Sequence, residues 1–319
     1  MLLQRVVSNP VLAGSLASGM LILSLLSIWL SPLQLLLPLP ILLTAYRLGP
    51  KAGMLAMGFP VLAALALGKG SLYFPIMTLL IFGLFPILSA WLLHGGWQIR
   101  HCATVAYLLA GLLLIVGYLG SLLFGIIPTE EILLSLHIIQ EAMLANATNL
   151  QGMDPVTLSQ FRVGLGQLMH LVALFFPTFF LTSWFLIQVG NLILARNLLT
   201  KWQEWKGAKE NLNRFRLPFF LVWILIGAGL LAALFHGNLQ HFSWNVLFFL
   251  ITPYFIQGLA IFQSGFQRYQ ASGFLRGTFY AALILWWEIS LLVTVLGLFD
   301  TWLDFRNRFP TSDKEDGRR

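Results

Sequence analysis

Residues Gly277 to Arg308 read GTFYAALILWWEISLLVTVLGLFDTWLDFRNR. The part from Gly277 to Phe299 is apolar and long enough to cross a hydrocarbon core of roughly 30 Å. Glu288 sits near its middle, the only Asp, Glu, Lys or Arg deep inside an apolar run of the chain. The run then ends in Asp300, Asp304, Arg306 and Arg308. A stretch with this profile is a membrane segment with a polar end, not the strand or helix of a water-soluble core.

The rest of the chain repeats that profile. Of its 319 residues 58% are hydrophobic and 10% are charged, where a soluble domain carries roughly 25% charged residues. The apolar runs are continuous in Leu, Phe and Ile and do not alternate, so helices rather than barrel strands must satisfy the backbone inside the bilayer. The expected class is therefore an all-α, polytopic transmembrane helical bundle. The net charge of +7 comes from Lys and Arg in short loops beside apolar runs, the pattern of positive-inside orientation. No basic and aromatic module of the nucleic-acid kind accompanies it, so no nucleic-acid partner is expected.

The apolar segments number about eight to nine, at about Val11–Leu30, Leu33–Tyr46, Ala52–Leu67, Leu72–Leu93, Thr104–Ile127, Leu168–Leu194, Pro218–Phe235, Trp244–Phe262 and Gly277–Phe299. The second is short, and Pro38 and Pro40 predict a kink or a partial span. Arg5 before the first run resembles a signal-peptide start, but the run has full span length and reads as a retained helix. Between the fifth and sixth segments, Ile132, Leu133, Leu136, Ile139, Met143 and Leu144 recur at helical spacing and predict an amphipathic interfacial helix. Glu130 and Glu131 at its start are its caps. The stretch from Ala195 to Leu217 is the one strongly basic loop and belongs on the cytoplasmic side. It divides the chain into a bundle at 1–195, the loop at 196–217, C-terminal helices at 218–305 and a polar tail at 306–319. Nine crossings from that reference put the tail outside, in conflict with its Arg and Lys content.

Few residues inside the segments can carry chemistry. An intramembrane carboxylate faces a cavity, an ion or a proton path, or else stays protonated and bonds to a neighbouring helix. Both readings are open for Glu288. Its possible partners are Gln257 on the eighth segment, and Gln188 and Asn191, three apart on one face of the sixth. Together these four form the candidate substrate-binding set, with Asn245 and His170 further out. The alternative for each amide is helix–helix bonding. Asp300/Asp304 and Asp304/Arg308 are four apart and predict a charged collar on one helical face. No metal site, cofactor or catalytic group is expected. Histidines occur in no metal-ligating spacing, the lone Cys102 excludes an intramolecular disulfide and a cysteine cluster, and no nucleophile–base arrangement is visible.

Several patches carry a resemblance. They are Pro218 with Trp223, Asn245, Tyr254-Phe255-Ile256-Gln257-Gly258-Leu259-Ala260, Leu296-Gly297-Leu298-Phe299-Asp300 and Asp304-Phe305-Arg306. In this order they resemble the YybS-type family of uncharacterised bacterial polytopic membrane proteins. That family is in turn distantly similar to the substrate-binding S components of energy-coupling-factor (ECF) transporters. The Ala13-x-x-x-Ala17 pair, the short second segment and the Arg47-Leu48-Gly49-Pro50-Lys51-Ala52-Gly53 turn are similar to S-component features. The resemblance implies that the first six segments form an S-component-like bundle, and that Ala13 and Ala17 dock a partner coupling subunit. Segments seven to nine are additional to that pattern.

The expected protein is thus a multi-pass protein of the bacterial inner membrane, with the lipid bilayer as its medium. Its function is that of a substrate-binding or transporter-like subunit for a small molecule, with a coupling subunit or a second copy as partner. The alternative is a non-transporting scaffold held through the basic loop and the collar. An enzyme is not expected.

Overall fold

The computed structural model describes residues 2–69, 71–124, 128–149, 155–207 and 216–308. Every element among them is helical. They form two compact units, one of residues 1–113 with 181–210, the other of 114–180 with 211–319. Two helices, α7 (Ile99–Phe124) and α9 (Pro155–Lys201), contribute a part to each.

The first unit opens with α1 (Leu2–Val6), α2 (Pro10–Leu26) and a 3-10 segment, Ile28–Leu36. Asn9 starts α2 by accepting from Val11 N, with Pro10 at the first position, where a proline lacks nothing the helix needs. Next come α3 (Pro38–Leu48), α4 (Pro50–Leu67), α5 (Tyr73–Phe82) and α6 (Leu84–His94). Helix α3 is the centre of this unit, and every residue from Pro38 to Tyr46 is buried. A helix apolar on all sides belongs in that position. Pro38 and Pro40 do not kink it. They fall in its first turn, where their missing N–H groups are unneeded.

Helix α2 crosses α4 on its small residues. Gly14 lies against Ala56 O and the Phe59 ring, and Ala17 joins Leu21, Ile41, Met57 and Ile87 in the core. Ala13 and Ala17 are both fully buried. The stripe that the resemblance assigns to a partner is thus covered by the chain's own helices.

The second unit contains α8 (Pro128–Asn149), the early part of α9, α10 (Phe220–Leu234) and α11 (Asn238–Arg268). It closes with α12 (Gly273–Leu285), α13 (Trp287–Leu303) and α14 (Phe305–Arg308). The expected helix forms as α8, with Leu144 buried against Leu165 and Met169 and Leu136 beside them, while Ile139 and Met143 are exposed. The side chains of Glu130 and Glu131 lie outside the described set. Helix α9 has 47 residues, about 70 Å at 1.5 Å per residue. It exceeds the expected segment at both ends, and its first turns pack on α8.

Six helical stretches among the described residues are long and apolar enough to cross a membrane: Ile28–Leu48, Pro50–Leu67, Tyr73–His94, Ile99–Gly120, Val156–Lys201 and Asn238–Arg268. A bent pair, Gly273–Leu283 with Glu288–Leu303, makes a seventh if it is one span. The first and seventh expected segments appear as shorter apolar helices, Pro10–Leu26 and Phe220–Leu234.

Candidate functional site

The buried amides of both units bond backbone groups, most of them where a helix is interrupted. In the first unit α5 gives way to α6 at Gly83, just before Pro86. There Ile81 O accepts from Trp184 Nε1 and from Gln188 Nε2, each at 2.8 Å. Trp184 and Gln188 are four apart on α9, so one helix face supplies both donors. Asn191 Nδ2 donates to Leu35 O at 2.7 Å, near the end of the 3-10 segment, and to Ile187 O at 2.8 Å.

In the second unit Asn245 lies across the turn of α9 opened by Pro177. Its Oδ1 accepts from Thr178 N at 3.2 Å and from Thr178 Oγ1 at 2.7 Å. Its Nδ2 donates to Leu174 O and Tyr118 Oη, each at 2.8 Å, and to His241 O at 2.9 Å. Gln257 on α11 accepts from Leu217 N at 2.9 Å and donates to Gly297 O at 3.0 Å and Asp300 Oδ2 at 3.3 Å. Helix interruptions persist at membrane depth only when neighbours satisfy the freed groups in this way.

Glu288 is placed differently from its sequence surroundings. Helices α12 and α13 meet at Trp286 with a bend of 103°. Glu288 falls in the first turn of α13 and is exposed. Ser290 Oγ donates to Leu283 O across the break at 3.0 Å. A carboxylate at this position faces the positive end of the helix dipole. The four candidates are therefore not shown as one pocket. Gln188 and Asn191 belong to the first unit, Gln257 and Glu288 to the second, and each amide donates to backbone.

The collar also differs. Helix α13 ends at Asp304, whose φ is +45°, so Asp300, Asp304 and Arg308 do not continue along one face. Arg306 turns back, and its Nη2 lies 2.6 Å from Asp300 Oδ2 with both side chains buried. Asp300 Oδ1 accepts from Phe305 N at 2.9 Å, and Arg216 Nη2 bonds Asp304 Oδ1 at 2.8 Å. The patches around Gln257, Gly297 and Asp300 to Arg306 therefore meet. Gly258 stands against the backbone of Val293, and Gly297 against the backbone of Tyr254.

A cleft lies in the first unit. It has a volume of about 700 Å³ and lies between the end of α3, the end of α6 and the chain leaving α9. Its wall is an aromatic column in which Tyr46 stacks on His94 at 5.3 Å and on Trp205 at 5.6 Å. Lys206 N donates to Tyr46 Oη at 3.2 Å. Beside the column Arg47 Nε lies 2.7 Å from Glu204 Oε2, and Nη2 lies 3.1 Å from Oε1. The Arg47 guanidinium is also 5.9 Å from the Trp202 ring. The sequence places Arg47 in a turn and Glu204 and Trp205 within the basic loop, and nothing in it joins them to a site. Arg47 and Glu204 are 157 positions apart, so no local spacing joins them.

Over residues 18–301 the chain matches the model of a family described as a predicted membrane protein, DUF2232. The chain belongs to that family. No curated protein and no solved structure matches it. The DUF2232 match takes in the whole Arg47–Glu204 cleft and the Gln257–Asp300 node, and the family's description assigns no ligand, activity or partner.

Proposed function

We propose that this chain is a non-catalytic, transporter-like membrane subunit that binds a small molecule in the cleft between Tyr46, His94 and Trp205. The reading includes eight to nine apolar segments and residence in a bacterial inner membrane. The observation that carries it is the cleft itself. Its size lies within the 300–1,000 Å³ of ordinary ligand sites, and it joins an aromatic wall to a few fixed polar groups. Its position among Arg47, Lys206 and the basic loop favours the cytoplasmic side. An S component coupled to an ECF module would capture its ligand from outside and dock through Ala13 and Ala17, so the cleft favours a ligand-binding role without that module. The collar charges pair within the chain, which favours ligand binding over a scaffold held by them.

Native mass spectrometry of the gently extracted full chain tests the proposal. Wild type is expected to carry a small-molecule adduct that disappears in Gln98→Trp, which fills the cleft. Adducts identical in both proteins, or none in either, would sink the reading. A constant protein subunit in place of an adduct would favour the scaffold.

A further inference from the structure

The chemical class of the ligand follows from which polar groups of the cleft are already engaged. Arg47 binds both oxygens of Glu204, and its Nη1 donates to Gln4 O and Ser8 Oγ, each at 2.7 Å. Glu204 Oε1 also accepts from Gln4 Nε2 at 2.9 Å. This pair is neutral as a unit and closed within the chain. Glu204 is the only carboxylate among the lining residues.

Besides the neutral amides of Gln98 and Gln203, three side chains of the lining stand out. Lys206 is exposed and its ammonium enters no ion pair among the described residues. His94 is exposed and stacks on Tyr46. Trp97 is 47% exposed, and its indole N–H is a donor. Among the described residues the uncompensated charge is therefore positive, and flat rings stand beside it.

We infer that the cleft takes a small, ring-bearing anion, with its phosphate or carboxylate at Lys206 and its ring against His94 and Trp97. This rests on the ligand-binding reading above. Among the described residues a cation would meet Lys206 with no free carboxylate to offset it, and a neutral apolar molecule would leave the Lys206 ammonium desolvated and unpaired.

Binding of phenyl phosphate to the purified full chain, measured by isothermal titration calorimetry, tests the inference. Inorganic phosphate and dihexanoyl phosphatidylglycerol serve as the ringless and the lipid-headgroup anion. Phenyl phosphate is expected to bind more tightly than either, and to weaken about five- to tenfold in Lys206→Glu. Lys201→Glu makes the same charge change at an exposed residue outside the lining and is expected to bind like wild type. Equal binding of inorganic phosphate or of the lipid, no saturable binding, or equal losses in the two lysine variants would overturn it. If Gln98→Trp removes a native adduct while Lys206→Glu leaves phenyl phosphate binding intact, the ligand-binding reading stands and this inference alone falls.

Discussion

Arg216 and Asp304 form an ion pair at 2.8 Å, so the end of α13 lies beside the start of α10. The pair is largely exposed and contributes no more than about 1 kcal/mol. Its significance is positional. Arg216 ends the basic loop, and Leu217 N beside it bonds Gln257, which in turn bonds Gly297 on α13. The bent α12–α13 pair thus ends beside the start of α10. If the bent pair is re-entrant rather than one span, Asp304 stays on the side from which α10 departs, and the basic residues of the tail agree with the positive-inside rule.

On the re-entrant reading the tail is expected to be reachable from the same side as the basic loop. Arg319→Cys and Lys201→Cys, labelled with a membrane-impermeant maleimide, are expected to react together in inverted vesicles and not in intact cells. Cys102 is buried and contributes little background. Labelling of Arg319→Cys in intact cells would return the tail to the outside.

The two ion pairs of the C-terminal unit should differ sharply in worth. Asp300 and Arg306 are buried, and removal of one partner leaves a buried charge, at a cost of about 3–5 kcal/mol. Asp304 is partly exposed, and its loss costs about 1 kcal/mol or less. Thermal denaturation in detergent is expected to show a large fall for Asp300→Ala and a small one for Asp304→Ala. Equal effects would mean that Asp300 is not a buried anchor.

Helices α11 and α13 touch backbone to backbone. A Cβ on Gly258 would strike Val293 O, and one on Gly297 would strike Tyr254 O. Backbone cannot yield as a flexible side chain does, so Gly258→Ala and Gly297→Ala should each cost about 1–3 kcal/mol. At Gly265 there is open space, and alanine there should be neutral or slightly favourable in a helix. Loss of heat-stable protein in the first two variants but not the third is the expected result.

The sequence made some of this legible and hid the rest for physical reasons. Run length and composition reveal the helical membrane class because the bilayer imposes them residue by residue. Pro38 and Pro40 misled because a proline starting a helix and one kinking it look alike until the boundary is known. Glu288 misled similarly. Nothing in Trp286-Trp287-Glu288 is a turn residue, so a run broken at 103° reads as continuous. Gln188, Asn191, Asn245 and Gln257 were identifiable as buried amides. Their partners are backbone groups remote in sequence, such as Ile81 O and Leu35 O, which no side-chain pattern marks. The cleft was hidden for the same reason, since its ion pair joins α3 to the chain beyond α9.

Asn245 offers the strictest test of how these amides act. It bonds Leu174 O and Thr178 N, the two ends of one helical turn that Pro177 opens. Asn245→Leu would leave both groups buried without their partner, at about 1–3 kcal/mol for each. Pro177→Ala restores an N–H and lets the turn close on itself. Asn245→Leu should therefore cost substantially less when combined with Pro177→Ala than in the wild-type background. A double-mutant cycle read by thermal denaturation measures that difference. Simple additivity of the two substitutions would show that Asn245 does not stabilise the chain through the proline-opened turn. A coupling of about 1 kcal/mol or more would show that it does, and would make the amide and the proline a single structural device.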